Sequence, residues 1–177
     1  FFWIYAVITI ISAAQGDLRE VVPASEIMEM IERGMPVNYS HVIIEGDLNL
    51  SDLDLPEVPV IRKSFASIIY VNGVEVERFG ELPDERKVVR SAIRITDSLI
   101  NGSINFNSVS FLDDISLQST MCVDGVSFQD SQFNQSANFV WTKFYKNADF
   151  SWSRFNQIAY FGEALFNSDV DFRESQF

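Results

Sequence analysis

Ala148-Asp149-Phe150-Ser151-Trp152-Ser153-Arg154-Phe155 runs on into Asn156-Gln157-Ile158-Ala159-Tyr160-Phe161, and its phenylalanines stand five and then six residues apart. The same alternation extends in both directions. From Ile95 the large apolar positions are Ile95, Ile100, Phe106, Phe111, Leu117, Cys122, Phe128, Phe133, Phe139, Phe144, Phe150, Phe155, Phe161, Phe166, Phe172 and Phe177, without a miss. The chain holds 16 Phe, and twelve of them fall on this lattice, so the second half is a repeat architecture. A second regular position lies two residues ahead of each site. Before the first site of each eleven-residue unit it is apolar: Ile93, Ile104, Ile115, Val126, Ala137, Ala148, Ala159, Val170. Before the second site it is small and mostly hydroxylic: Ser98, Val109, Thr120, Ser131, Thr142, Ser153, Ala164, Ser175.

An eleven-residue period also suits a right-handed helical coiled coil. That structure needs helix formers on its surface, and here the filler is Asn, Asp, Ser, Gly and Thr. The local i−2, i pairing is the strand period, with two side chains on one face and one between them on the other. Short strands turned by polar residues every five or six positions predict a β-solenoid with four faces and about 22 residues per coil. Phe106, Phe128, Phe150 and Phe172 then stack in one internal column, and Phe111, Phe133, Phe155 and Phe177 in another. Leu117, Phe139 and Phe161 form a third, and Cys122, Phe144 and Phe166 a fourth. Each coil should rise by the inter-strand spacing of ~4.8 Å.

The stretches Ala148 to Phe155 and Val170-Asp171-Phe172-Arg173-Glu174-Ser175-Gln176-Phe177 resemble the A(D/N)Fxx units of pentapeptide-repeat proteins, in a Phe-rich variant. The resemblance covers about residues 89–177. It implies an all-β fold, a right-handed quadrilateral β-helix with the Phe or Leu of each unit inside.

The first half reads as a cap and a first coil. Ser25 is placed as the N-cap of a helix over Glu26 to Arg33, Ile27 and Ile31 share a face, and Gly34 ends it. Ile44, Leu50, Leu55 and Ile61 then repeat the 6, 5, 6 spacing. Helix, Val42-Ile43-Ile44 and Gly46-Asp47-Leu48-Asn49-Leu50-Ser51 resemble the N-terminal region of archaeal pentapeptide-repeat membrane proteins. Between the coils the lattice breaks. Val58 to Ile61 and Ser67 to Val71 read as strands, Asn72-Gly73 as a type I′ turn, Val74 to Glu77 as the return, and Glu81 to Lys87 as a polar loop. At the start, Phe1-Phe2-Trp3-Ile4-Tyr5-Ala6-Val7-Ile8-Thr9-Ile10-Ile11 and Ser12-Ala13-Ala14-Gln15 look like the apolar core and cleavage site of a secretory signal peptide. The expected organisation is therefore a signal-like segment 1–16, a cap helix 17–36, a first coil 37–61, a hairpin or loop insertion 62–88 and the solenoid 89–177. With no Met at one end and the pattern unbroken at Phe177, the chain reads as a fragment of a longer one.

Composition narrows the function. The 177 residues carry 25 Asp+Glu against 13 Lys+Arg, a net −12, which disfavours a surface that grips nucleic acid by its phosphates. One Cys and one His exclude a disulfide framework and a His- or Cys-rich metal centre. Cys122 occupies an inward site and reads as a small hydrophobe, and His41 as a surface residue. Asp113-Asp114, the one adjacent carboxylate pair beside the lattice, reads as a solvated turn without a basic partner. There is no phosphate loop, G-x-S-x-G or H-E-x-x-H. Trp141 and Trp152 should point outward on opposite faces. Asn38, Asn49, Asn101 and Asn134 open N-x-Ser sequons and are candidate glycan acceptors on an exported chain. These features predict a non-enzymatic scaffold or interaction module without a cofactor, exported or held at a membrane by segments outside this chain. Its partner would be an unidentified protein or cell surface. The alternative is an acidic DNA mimic acting on a topoisomerase, which the pentapeptide resemblance raises. The charge does not favour it, since residues from Ile95 carry −6 and those before it also −6. A polysaccharide-cleaving β-helix would need clustered catalytic acids, which the pattern lacks.

Overall fold

Strand pairing follows the repeat. The computed structural model describes residues 19–71 and 74–177, so the signal-like segment 1–16 and the Asn72-Gly73 turn lie outside the described residues. The chain enters through β1 (Glu20–Pro23) and α1 (Ala24–Glu32), then β2 (Val37–Ser40), β3 (Val42–Glu45) and β4 (Leu48–Asn49). A long hairpin, β5 (Glu57–Val71) and β6 (Val74–Val89), is followed by β7 (Ile93–Thr96), β8 (Leu99–Asn101), β9 (Ile104–Asn105) and β10 (Val109–Phe111). From there the strands are two residues long, down to Val170–Asp171.

These strands stack into four walls that the chain visits in turn, giving a β-solenoid. The first wall holds β1, β3, β8 and three further strands; the second begins with β4 and β9. The third is β5, β6, β10 and two more, and the fourth begins with β2 and β7. Neighbours within a wall run parallel, except that β5 pairs antiparallel with β6 at the edge of the third. The coil is 22 residues wherever the repeat is regular, as in Ile93 opposite Ile115 and Ile115 opposite Ala137. Between the first full coil and the next the offset is 56, with Val37 opposite Ile93 and Leu48 opposite Ile104. The extra 34 residues, 56 less 22, come from the inserted hairpin and the link into it.

The interior is a set of columns one coil spacing apart. Side chains in one column sit on equivalent backbone positions, and most rings lie nearly parallel. Phe133 and Phe155 stand 4.6 Å apart at 1°, and Phe144 and Phe166 4.9 Å apart at 4°. Rings of neighbouring columns meet edge-on, as Phe144 meets Phe150 at 90°, the arrangement the ring quadrupole favours. Phe106 breaks the parallel stack at 83° to Phe128, where Leu50 takes the place of a ring in the preceding coil of its column. Phe106, Phe111, Phe128, Phe133, Phe139, Phe144, Phe150 and Phe155 are buried. Phe161, Phe166 and Phe172 are half-buried against the core, because they lie in the last described coil and only one side is stacked.

The hydroxylic positions have a specific task. Thr120, Ser131, Thr142, Ser153 and Ser175 each donate to the backbone carbonyl 25 residues earlier, at 2.6–2.9 Å, which tethers one coil to the last inside the core. The five-residue step closes with a turn from the lattice residue to the residue three on, as in Ser131 N–H to Phe128 O. Its third residue is left-handed: Asp97, Ser108, Ser119, Asp130, Trp141, Trp152, Glu163 and Glu174 have φ between +50 and +61. That is the signature of a type II turn. An Asx side chain two residues ahead sets up several of these turns: Asn105, Asn138, Asp149 and Asp171 accept from the N–H two residues on.

Several expectations are corrected. Helix α1 begins at Ala24 with Pro23 in the N-cap position and no side-chain cap, so Ser25 lies inside it; proline before the first turn needs no N–H partner. Gly34, at φ +67, closes a Schellman motif, its N–H going to Ile31 O and that of Met35 to Met30 O. The region 17–36 is not only a cap helix, since β1 already belongs to the first wall and Val22 lies opposite Ile44. The first coil, expected over 37–61, ends before Glu57, and Ile61 lies within β5. The stretch Glu81 to Lys87, expected as a loop, is part of β6, and Val58 to Val71 is one strand. The insertion is thus a hairpin over 57–89. Ser151, one position past the inward Phe150, is also buried, and its N–H donates to Asp149 Oδ1 at 2.8 Å.

Candidate interaction surface

The solenoid spends its inward positions on packing, so chemistry is left to its outer walls, corners and hairpin. Cys122 is fully buried, and burial alone pushes its thiol up to about 12, which removes it as a nucleophile near neutral pH. His41 is exposed, with φ +60 at a corner. Asp114 does have a basic partner, Arg94, at 2.8 Å on the exposed fourth wall. This surface ion pair joins adjacent coils and is not an acid/base dyad. Among the described residues no group of three His, Cys, Asp or Glu is placed to hold a metal.

The second wall is polar and small. Asp47, near its first strand, accepts from Ser103 N–H at 2.7 Å and from the Ser103 hydroxyl at 2.8 Å, which hold its carboxyl below the usual range. Asp171 is lowered likewise by the Arg173 side chain and then its N–H. Asp149, Asp169, Asp171 and Arg173 line an open cleft at the far end of this wall. The carboxylates of Asp149 and Asp171 are held in turns there, and that of Asp171 also pairs with the exposed Arg173.

The first wall is different. The column through its successive paired strands reads Val21, Ile43, Leu99, Met121, Lys143 and Leu165; Ile43 is buried, Val21, Leu99 and Met121 are half-buried, and Lys143 and Leu165 are exposed. Beside it Val123, Tyr145 and the corner residue Trp141 are exposed, and Leu165 is 51% exposed. This is an apolar and aromatic outer face on a strongly acidic protein, suited to burial against a partner. Trp152, 57% exposed, sits at the diagonally opposite corner between the second and third walls, so the two tryptophans belong to separate surfaces.

The hairpin leaves the rod on the third wall, across from this apolar face. Only Lys87, Val88 and Val89 of β6 pair with β10; residues 74–86 pair only with β5. At ~3.3 Å per residue that is a ribbon of roughly 40 Å. Two basic residues anchor its root. Lys87 lies opposite Val109, an inward position, and its Nζ donates to the carbonyls of Leu50, Ser51 and Leu53 at 3.3, 2.7 and 2.6 Å. It thereby supplies the carbonyls of the short 3₁₀ turn Leu50–Asp52 that precedes the hairpin. Arg86 donates to Asp130 Oδ1 at 3.1 Å and to Gln132 Oε1 at 3.0 Å, tying the root to the next coils. Sequence reading located the insertion but missed these anchors; a lysine at a position where the repeat demands a small or apolar residue was the available signal.

The four sequons separate. Asn38 and Asn101 are exposed, and Asn49 and Asn134 are half-buried. Asn101 donates to both carboxylate oxygens of Glu45 at 3.1 Å. Asn49 donates to Asp52 and accepts from Ser51, and Asn134 bridges Ser110 and Asn156. No helix among the described residues is long and apolar enough to cross a membrane.

No curated protein and no solved structure matches the chain. Residues 128–176 match the family profile described as pentapeptide repeats, in nine copies. These are the residues whose two-residue strands, corner turns and internal Phe columns form the most regular coils. Residues 128–176 are pentapeptide repeats, and the rod they belong to is a β-solenoid.

Proposed function

We propose that the protein is a non-catalytic scaffold whose rod holds the β5–β6 hairpin out to a protein or cell-surface partner, on an exported or membrane-associated molecule. One observation carries this reading: a ribbon of 13 residues of β6, paired only with β5, extends beyond a root fixed by Lys87 and Arg86. An isolated two-stranded hairpin is marginal in water, so a ribbon of this length gains most of its order when another surface covers it. The regular coils supply rigidity, and an interruption of such an array is where binding is expected. The signal-like start and the sequons support the exported setting. The DNA-mimic alternative rests on net charge, and the acids here are spread over corners and hairpin.

The test replaces Lys63 to Glu81 with a short Gly/Ser link, which keeps Arg86 and Lys87. The trimmed chain should keep its far-ultraviolet spectrum and melting temperature within a few degrees and lose binding to intact source cells or their envelope fraction. Unchanged binding by a folded, trimmed chain would contradict the proposal.

A further inference from the structure

We propose that Asn38 is the acceptor of an N-linked saccharide, and that the other three sequons are structural elements of the corners. The proposal rests on the exported setting above. Asn38 sits in β2, at the edge of the fourth wall, and its side chain is exposed with no hydrogen bond among the described residues. Tyr39 between it and Ser40 is turned the other way, its hydroxyl held by Glu26 of α1. Ser40 is exposed too and accepts only from Thr96 Oγ1 at 3.2 Å. Asparagine and hydroxyl therefore stand together on one open surface.

Each other sequon is committed to the fold. Asn101 is held by Glu45, and Ser103 by Asp47. The residue between them, Gly102, lies so close to the preceding coil that a Cβ there would meet Gly46 O at 2.1 Å. In the sequon of Asn49 the central Leu50 is wholly buried, and both polar ends bond each other. Asn134 links two neighbouring coils through its amide. A saccharide on Asn101 or Asn134 would break bonds between coils, and one on Asn49 the bond to Asp52 that closes its turn, whereas on Asn38 it would break none.

The chemistry is a glycosyl transfer. Asn38 Nδ2 attacks the anomeric carbon of a saccharide carried on a lipid pyrophosphate. The new C–N bond replaces the C–O bond to the carrier, the pyrophosphate leaves with the electron pair, and the nitrogen gives up one of its two protons.

The test expresses the whole chain behind a supplied leader in a yeast secretory pathway and maps the secreted, folded protein by mass spectrometry. One saccharide is expected, on Asn38, removable by a peptide-N-glycosidase and absent from N38Q and S40A. Secreted folded protein with Asn38 bare, or with saccharide on Asn49, Asn101 or Asn134, would overturn the proposal. Should the parent be retained in the cell, the variant S51A/S103A/S136A, which has only the Asn38 sequon, should still gain one saccharide; an unmodified product would equally overturn it. Because the leader is supplied, the result is independent of whether residues 1–16 direct export, which a fusion of residues 1–17 to a secreted reporter tests separately.

Discussion

Phe150 and its neighbours show how much one position matters in a stacked array. The ring lies 5.4 Å from Phe128 and 5.1 Å from Phe172, nearly parallel to both, and is wholly buried. Phe150→Ala should therefore cost about 3–5 kcal/mol, because a rigid stack cannot close the cavity. Ser153 donates to Phe128 O at 2.9 Å, and Ser153→Ala should cost about 1 kcal/mol, leaving that carbonyl unpaired. Ser151→Ala should stay within about 0.5 kcal/mol, since Asp149 holds the Ser151 backbone and not its hydroxyl. Urea denaturation of the three variants would check this order, and equal losses would contradict the inward assignment of Phe150. At the corners the residue type matters less than the conformation. Trp141 at φ +58 and Trp152 at φ +61 occupy a region that costs an L-residue roughly 1–2 kcal/mol. The coil imposes it regardless of side chain, because every eleventh residue from Asp97 to Glu174 does the same.

At the scale of elements, polar side chains tie the hairpin and the cap helix to the rod in addition to strand pairing and apolar packing. Lys87→Met would leave three carbonyls at the end of the 3₁₀ turn without their common donor. A loss of about 1–3 kcal/mol is expected, with faster hydrogen exchange at residues 50–55 than in the coils beyond. Helix α1 is packed through Ala24, Ile27, Met28 and Ile31, and its polar side reaches Tyr39 through Glu26. The hydrogen bond to Glu26, then burial, raise Tyr39 to about 12 from its ordinary 10.0. A raised value means the folded state holds its proton longer than the unfolded state does. The contribution is complete below pH 10 and disappears between about pH 10 and 12 as the pH rises. Melting temperatures across that window should fall more steeply for the parent than for Tyr39→Phe, and parallel curves would show that the bond contributes nothing.

For the whole molecule the consequence of stacking is a gradient. Each coil buries its neighbour's face, so stability is nearly a sum of nearest-neighbour contacts along the rod. The middle coils, around Phe128, Phe139 and Phe150, are packed from both sides, while Phe161, Phe166 and Phe172 are only half-buried. Hydrogen exchange of this chain should be slowest for Phe128 to Phe150 and fastest in the coils for Val170 to Phe177. Uniform protection along the rod would mean that it opens as one unit. The first coils should resist better than their distance from the middle implies, because α1 covers that end.

The period was legible without any structure. Large side chains five and six residues apart can share one interior only if the chain turns at those intervals, and the strand alternation two residues ahead excludes a helix. The columns, the walls and the existence of an insertion all follow from that. The bounds of the insertion did not, because Pro59, Pro83 and the charges of 81–87 weaken local strand propensity, and pairing along the whole hairpin overrides it. Nor could the sequence assign left-handed corners to Trp, Glu, Asp and Ser, residues that do not announce a positive φ. It could not show what surrounds each of the four N-x-Ser sequons, or that the small hydroxyls bond the carbonyl 25 residues back, since both depend on which coil lies against which. A repeat determines its own coil through local spacing; contacts between coils, and with the elements that interrupt them, exist only once the chain has closed on itself.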